Sequence, residues 1–318
     1  MNETLTTLLS LLSTGPISGP EMASQLNISR AAIWKYIEQL RDQGFTIEST
    51  PEGYTVAEIS GYTAPTIRYG LDAPYKIIYF DQIDSTNIRG RQLAEAGRTN
   101  TVVVADKQTG GRGRLDRSWE SPRGGIWASI IIQPNCPFSY LPMYTLAAAV
   151  SISVSLSASG YDATIKWPND VLIGESKHKV AGILTESAGE TDRVSWLVIG
   201  MGINANVNPT ALPPGSVSLS TKGTVNRREL LQAILEKFHS LTTLGNEETY
   251  QRVGETILHE WRAQAATLGQ QVRVDTTEAT IVGEAVDIQF PGALVVETGT
   301  GTKNLHAGDC THLRSDTP

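Results

Sequence analysis

The N-terminal stretch places its apolar residues first at helical spacing and then in alternation. Leu5, Leu8, Leu9 and Leu12 predict an amphipathic helix. Gly15-Pro16 and Gly19-Pro20 break it, and a short helix over Glu21–Gln25 follows. Ser29 is placed to cap a longer helix over Arg30–Gln43 that ends at Gly44. The expected buried face of that helix is Ala31, Ile33 or Trp34, Ile37 and Leu40. Phe45–Glu48 and Gly53–Val56 read as a β-hairpin. This order predicts a winged helix-turn-helix over residues 1–60, with Ser29, Arg30, Ala31, Trp34 and Lys35 as the DNA-facing residues. A protein-docking module of the same fold remains open. Three basic residues (Arg30, Lys35, Arg41) stand against six acidic ones within 1–57, and phosphate neutralisation supplies most non-specific DNA affinity.

Residues 61–75 have turn composition and read as a linker, with a short helix possible at Thr66–Tyr69. From 76 to 267 strands and helices mix. Strands are expected at Lys76–Phe80, Thr101–Ala105, Ile126–Ile132, Ala163–Trp167, Lys179–Leu184 and Leu197–Ile199. Helices are expected at Asn87–Ala96, Leu141–Ser159, Asn226–Leu244 and Glu247–Ala266. Residues 268–318 read as five short strands, Gln271–Val274, Glu278–Val286, Ile288–Phe290, Ala293–Glu297 and Thr302–Leu305.

At 318 residues the chain suits two or three domains. A net charge of −7 gives no global field toward nucleic acid or anionic membrane. Cys136 and Cys310 are too few for a disulfide framework or a zinc site and suggest reduced thiols in a cytoplasmic protein. The N-terminus lacks the basic start of a signal peptide. The most apolar helical run, Thr145–Leu156, is too short to span a bilayer, so no membrane role is expected. The five histidines lie outside the motifs and receive no role.

Five clusters carry candidate chemistry. In Gln108-Thr-Gly-Gly-Arg-Gly-Arg-Leu-Asp-Arg-Ser-Trp119, glycines permit positive φ and close approach, and arginines offer planar donor forks to phosphate or carboxylate. The bland alternative is a solvated hairpin tip. It is neither a Walker A loop nor a dinucleotide fingerprint. In Asp84-Ser-Thr-Asn87, Ser85 is placed to cap a helix whose free donors could grip a ligand. Lys166-Trp-Pro-Asn-Asp170 is either a tight turn or a site in which Asp170 holds Mg²⁺. Lys179-Val-Ala-Gly-Ile-Leu184 brings a lysine to a buried strand, where it needs an anionic partner unless it reaches solvent. Gly200-Met-Gly-Ile-Asn-Ala-Asn206 ends a strand in small residues and two amides.

In this order the five motifs resemble those of biotin–protein ligases. Ser29-Arg-Ala-Ala-Ile-Trp-Lys35 resembles the recognition helix of the bifunctional members that also repress biotin genes. The resemblance implies a central mixed sheet with helices like that of class II aminoacyl-tRNA synthetases and a C-terminal SH3-like barrel. It implies ATP activation of biotin, with Mg²⁺, to biotinyl-5′-AMP. Transfer to a lysine of the biotin carboxyl carrier protein of acetyl-CoA carboxylase follows, along with a homodimer bound to operator DNA. A ligase without repression and a lipoate-type ligase are the alternatives. Ser85, Thr86, Asn87, Gln108, Arg112, Gly113, Arg114, Lys179 and Gly182 would bind biotin. Arg114, Arg117, Trp119, Lys166, Asn169, Asn204 and Asn206 would bind the nucleotide, with Arg112, Arg114 and Lys179 catalytic. Asp116 stands where the family often has glycine.

Overall fold

The computed structural model describes residues 3–190, 193–243 and 247–313. Met1, Asn2, Leu244 and 314–318, parts of the expected elements and domains, lie outside the described residues.

Three helices, α1 (Glu3–Ser13), α2 (Gly19–Leu26) and α3 (Arg30–Asp42), precede a hairpin of β1 (Phe45–Thr50) and β2 (Gly53–Ile59). They close a core of their own around Leu8, Met22, Ile33, Ile37 and Phe45. Ser29 caps α3, accepting from the Ala32 amide at 3.1 Å. The expected buried face needs correction, because Ala31 and Trp34 are both exposed and Ile33 takes the inward position.

The stretch expected as a linker is part of the main core. α4 (Ala64–Arg68) buries Ile67, and Leu71, Ala73 and Tyr75 are buried beside it. Tyr69 also meets Phe45 edge-to-face, ring centres 5.5 Å apart, and so touches the N-terminal core.

β3 (Lys76–Phe80), β4 (Thr101–Ala105), β5 (Ile126–Ile132), β6 (Ala163–Lys166), β7 (Asp170–Ile173), β8 (His178–Glu190) and β9 (Arg193–Ile203) form one sheet in the order β3-β4-β5-β9-β8-β7-β6. Only β3 and β4 are parallel. Apolar runs such as Val102–Val104 are buried on both faces because helices cover both. α5 (Thr86–Glu95) covers one face through Ala94 against Val103, Ile131 and Val198. α6 (Leu141–Ala158) covers the other, with α7 (Arg227–Thr242) and α8 (Glu247–Ala263) packed on it. Among the described residues the one stretch long and apolar enough to cross a membrane is the α6 region, and most of it is buried in this core.

The C-terminal sheet is antiparallel, β13-β12-β11-β10-β14, from β10 (Gln271–Asp275), β11 (Thr280–Gln289), β12 (Ala293–Thr298), β13 (Gly301–Leu305) and β14 (Asp309–His312). Two expected strands, Glu278–Val286 and Ile288–Phe290, are one strand with an irregularity between Ala285 and Asp287. β14 carries no strand signal in the sequence. This sheet shares the main core through Ile288, Leu294 and Val296. Trp167 Nε1 donates to the Gly292 carbonyl at 3.1 Å, and Arg262 to Asp287 at 2.7 Å, across the junction.

Candidate active site

A cavity of about 240 Å³ opens where the ends of β8 and β9 meet the start of α5 and the Gly/Arg loop. Its floor is made of glycines. A Cβ on Gly202 would come within 2.6 Å of Trp119 Nε1, and one on Gly182 within 3.0 Å of the same indole. These positions therefore exclude side chains so that the Trp119 ring can lie on the sheet.

Ser85, Thr86 and Asn87 are buried on one wall. Ser85 occupies the N-cap position of α5, but its side chain makes no capping bond. Gln108 Oε1 instead accepts from the Thr86 amide at 2.8 Å, and Gln108 Nε2 donates to Ser121 Oγ at 2.8 Å. Asn87 Nδ2 donates to the Leu184 carbonyl at 3.1 Å and to Glu186 at 2.9 Å, and Ser129 Oγ donates to Asn87 Oδ1 at 2.6 Å. Asn87 thus ties α5 to the sheet, and Thr86 Oγ1 donates to Gln108 Oε1 at 3.0 Å.

The Gly/Arg loop is a folded hairpin. Arg112 pairs with Ser118, the Gly113 amide donates to the Arg117 carbonyl at 2.7 Å, and the Trp119 amide donates to the Gly111 carbonyl at 2.9 Å. Positive φ falls on Leu115 (54°) and Asp116 (56°), not on Gly110, Gly111 or Gly113. Together with the Arg117 amide donating to the Arg114 carbonyl, that is the sign pattern of a type I′ turn, which favours Asn-Gly. The left-handed backbone that glycine would permit is thus carried in this loop by non-glycine residues. Gly111 is required for a different reason, since a Cβ there would run into Ser121 Oγ at 2.5 Å.

Each cation of the cavity has a protein acceptor. Arg112 faces Glu186 at 3.4 Å, Lys179 pairs with Asp170 at 2.7 Å, and Arg117 pairs with Asp309. Arg114 donates to Asn169 Oδ1 at 3.1 Å and to the Gly308 carbonyl at 3.0 Å. Burial lowers the Arg114 pKa from its ordinary value, opposed by the charges of Asp309 and Asp170, and the hydrogen bond to Asp309 raises that of Arg117. Lys179 Nζ also lies 5.0 Å from the Trp119 ring centre. A cationic cavity in which every cation holds a replaceable partner is suited to an anionic ligand.

The cavity brings together Ser85, Thr86, Asn87, Gln108, Arg112, Gly113, Arg114, Arg117, Trp119, Asn169, Asp170, Lys179 and Gly182. It does not include Lys166, Asn204 or Asn206. The Asn206 amide is bonded both ways to the Val225 backbone, at 2.8 and 2.9 Å. Asn204 is buried with its Oδ1 unpartnered. Lys166 lies near Cys310 and His312 at the domain junction. Asp170, expected to hold a metal, is held by Lys179, and among the described residues no group of three or more His, Cys, Asp or Glu is placed to hold one. Asn169 bonds the Ile183 backbone in both directions and Arg114, so it positions that arginine. Sequence reading missed Glu186, Ser129 and Asp309; none lies in a motif, and strand pairing alone brings them here.

In the N-terminal module, Ser29, Arg30, Ala31, Trp34 and Lys35 share one exposed face. Arg41 is turned inward to the Ile47 carbonyl (3.2 Å from Nε) and to Glu38 (2.6 Å), which leaves Arg30 and Lys35 as that module's outward cations.

Three family models match the chain. Residues 4–55 match an HTH domain, 79–204 the biotin/lipoate A/B protein ligase family, and 267–313 the biotin protein ligase C-terminal domain. The bifunctional ligase/repressor BirA of Bacillus subtilis (strain 168) is 36% identical over 92% of this chain and 93% of its own length. BirA of Salmonella typhimurium is 30% identical over 97% of each, and the biotin–[acetyl-CoA-carboxylase] ligase of Paracoccus denitrificans is 31% identical over 71% of this chain and 96% of that protein. Among solved structures, the biotin protein ligase from Aquifex aeolicus in complex with biotin and ATP superposes with a TM-score of 0.61 at 28% identity, covering 75% of this chain and 99% of that one. With its ligase motifs, its helix-turn-helix and its C-terminal domain all matched, the chain belongs to the bifunctional biotin protein ligase/repressor family.

Proposed function

We propose that the chain is an ATP-dependent biotin–[acetyl-CoA-carboxylase] ligase and a repressor of biotin genes. The observation that carries the ligase reading is the convergence of Arg112, Arg114, Arg117 and Lys179 on one glycine-floored cavity. A biotin carboxylate oxygen attacks the α-phosphorus of ATP, pyrophosphate leaves, and biotinyl-5′-AMP forms. A carrier lysine then attacks the acyl carbon and AMP departs. Charge builds on the phosphate during the first step, and fixed cations stabilise it without reorganisation. Lys179 lies between carboxylate and phosphate, Arg112 and Arg114 clamp the mixed anhydride, and the 111–119 hairpin is the flap that keeps water out. Ser85, Thr86, Gln108 and Gly182 border the biotin; Trp119, Arg117 and Asn169 serve the nucleotide. Mg²⁺ would be held mainly by the nucleotide phosphates, because the two carboxylates that line the cavity, Asp170 and Asp309, are already paired with Lys179 and Arg117. Pyrophosphate release that requires biotin and Mg·ATP together tests this; release with lipoate instead would make the chain a lipoate-type ligase.

Two adenylate-bound chains pair, in the cytoplasm, to present two recognition helices, with the β1–β2 hairpin as the wing and the C-terminal sheet as an SH3-like fold. The acidic module with Arg41 turned inward favours one second reading, a ligase without repression. A gel shift on DNA upstream of biotin genes separates the two. Repression demands a shift that needs biotin and ATP together.

A further inference from the structure

Arg114 and Arg117 stand on either side of the flap's turn, and both reach the same corner of the C-terminal sheet. That corner is closely packed. Gly308 has φ +159°, and a Cβ there would meet Val274 Cγ1 at 2.5 Å and the Asp275 carbonyl at 3.2 Å. Asp309 opens β14, paired opposite Asp275, and the next residue, Cys310, is buried and paired opposite Val274. Pairing and packing tie this corner to β10. On the other side, Arg114 is held by Asn169, itself bonded twice to Ile183. The flap's own turn resists its conformation, with Leu115 and Asp116 in a region that L-residues disfavour. Arg112 on Glu186 and Trp119 on the sheet hold the base of the flap, and its tip is held by what Arg114 and Arg117 meet at the far side.

We propose that Asp309 is a positioning residue for the ligase reaction: its carboxylate, with the Gly308 carbonyl beside it, is the fixed point on which Arg117 and Arg114 hold the flap closed. The C-terminal domain thereby serves retention of the acyl phosphate. This rests on the ligase reading for its consequence in turnover, but not for its geometry.

Amide hydrogen exchange on the full ligand-free chain tests the geometry. Asp309→Asn speeds exchange of residues 111–119 about two- to five-fold, the factor a partly exposed ion pair supports, and leaves 271–275 unchanged. Arg117→Gln, a substitution outside the C-terminal sheet, gives the same acceleration, and the double variant adds nothing further. Reversing the pair, Arg117→Asp with Asp309→Arg, restores protection. The proposal is overturned by unchanged flap exchange in either single variant, by acceleration in 271–275 as well, or by a reversed pair that protects no better than Asp309→Asn. With biotin and Mg·ATP, Asp309→Asn also raises free biotinyl-adenylate relative to pyrophosphate. A parent chain that releases no pyrophosphate fails the ligase reading, and the exchange result still decides the latch.

Discussion

The two flanking domains attach to the central sheet in different ways. The N-terminal module closes its own core around Ile33 and Ile37 and meets the rest through a narrow set of contacts, among them Tyr69 on Phe45 and the Leu12 carbonyl. Among the described residues the C-terminal sheet has no separate core; Ile288, Leu294 and Val296 lie in the same cluster as the central strands, and Asp309 lines the cavity. A domain with its own core can be gained, lost or reoriented with little effect on chemistry elsewhere. A domain that shares a core and lends a side chain to the site cannot.

The sharpest way to break this contrast is to cut the same methyl groups from each region. Ile37→Ala and Ile288→Ala, both fully buried, each cost about 2–5 kcal/mol of local stability. Ile37→Ala should abolish the operator gel shift and leave biotin-dependent pyrophosphate release near that of the parent. Ile288→Ala should depress release as well, and equal effects on release would erase the distinction.

Next in size is Arg114→Gly. It removes bonds to Asn169 and Gly308, charge-assisted contacts worth about 1.5–3 kcal/mol each before solvent replaces them. Free adenylate should leak and label bystander lysines about ten-fold more than in the parent. Unchanged bystander labelling would remove the flap's role.

His312 distinguishes the domains by pH. Burial, then Lys166, pushes its pKa down to about 4 from an ordinary 6.5. The unfolded chain therefore takes up a proton below about pH 6.5 that the folded chain refuses until pH approaches 4, so stability falls on acidification through that window. The central and C-terminal unit should be roughly 1–2 kcal/mol less stable at pH 5 than at pH 7.5. His312→Gln should flatten that slope, and an equal slope in the variant would show that the histidine is not responsible.

The smallest effect is expected at the flap's turn. Leu115→Asn with Asp116→Gly supplies the residues a type I′ turn favours and should tighten the hairpin by about 1 kcal/mol. Slower exchange at 111–119 is the readout, and faster exchange would contradict the turn assignment.

Local patterns were legible where chemistry and chain neighbourhood coincide. The Gly/Arg loop, the Ser85–Asn87 segment, Lys179 and Gly182 are read from adjacent residues, and they do line one cavity. Asp309 was not legible, because it reaches the site through β14 pairing with β10, a non-local event with no sequence period. Lys166, Asn204 and Asn206 sit in the same motifs but do not line that cavity, and the Asn206 amide is bonded to the Val225 backbone. Residues 64–73 looked like linker because a short helix and a few buried side chains are too little for periodicity to register.

The most direct measurement is pyrophosphate counted against time with biotin, Mg·ATP and no carrier protein. A flap that keeps the adenylate predicts a rapid burst of about one equivalent per chain, followed by near silence until carrier is added. Steady release from the first seconds without carrier, or release that needs no biotin, would contradict it.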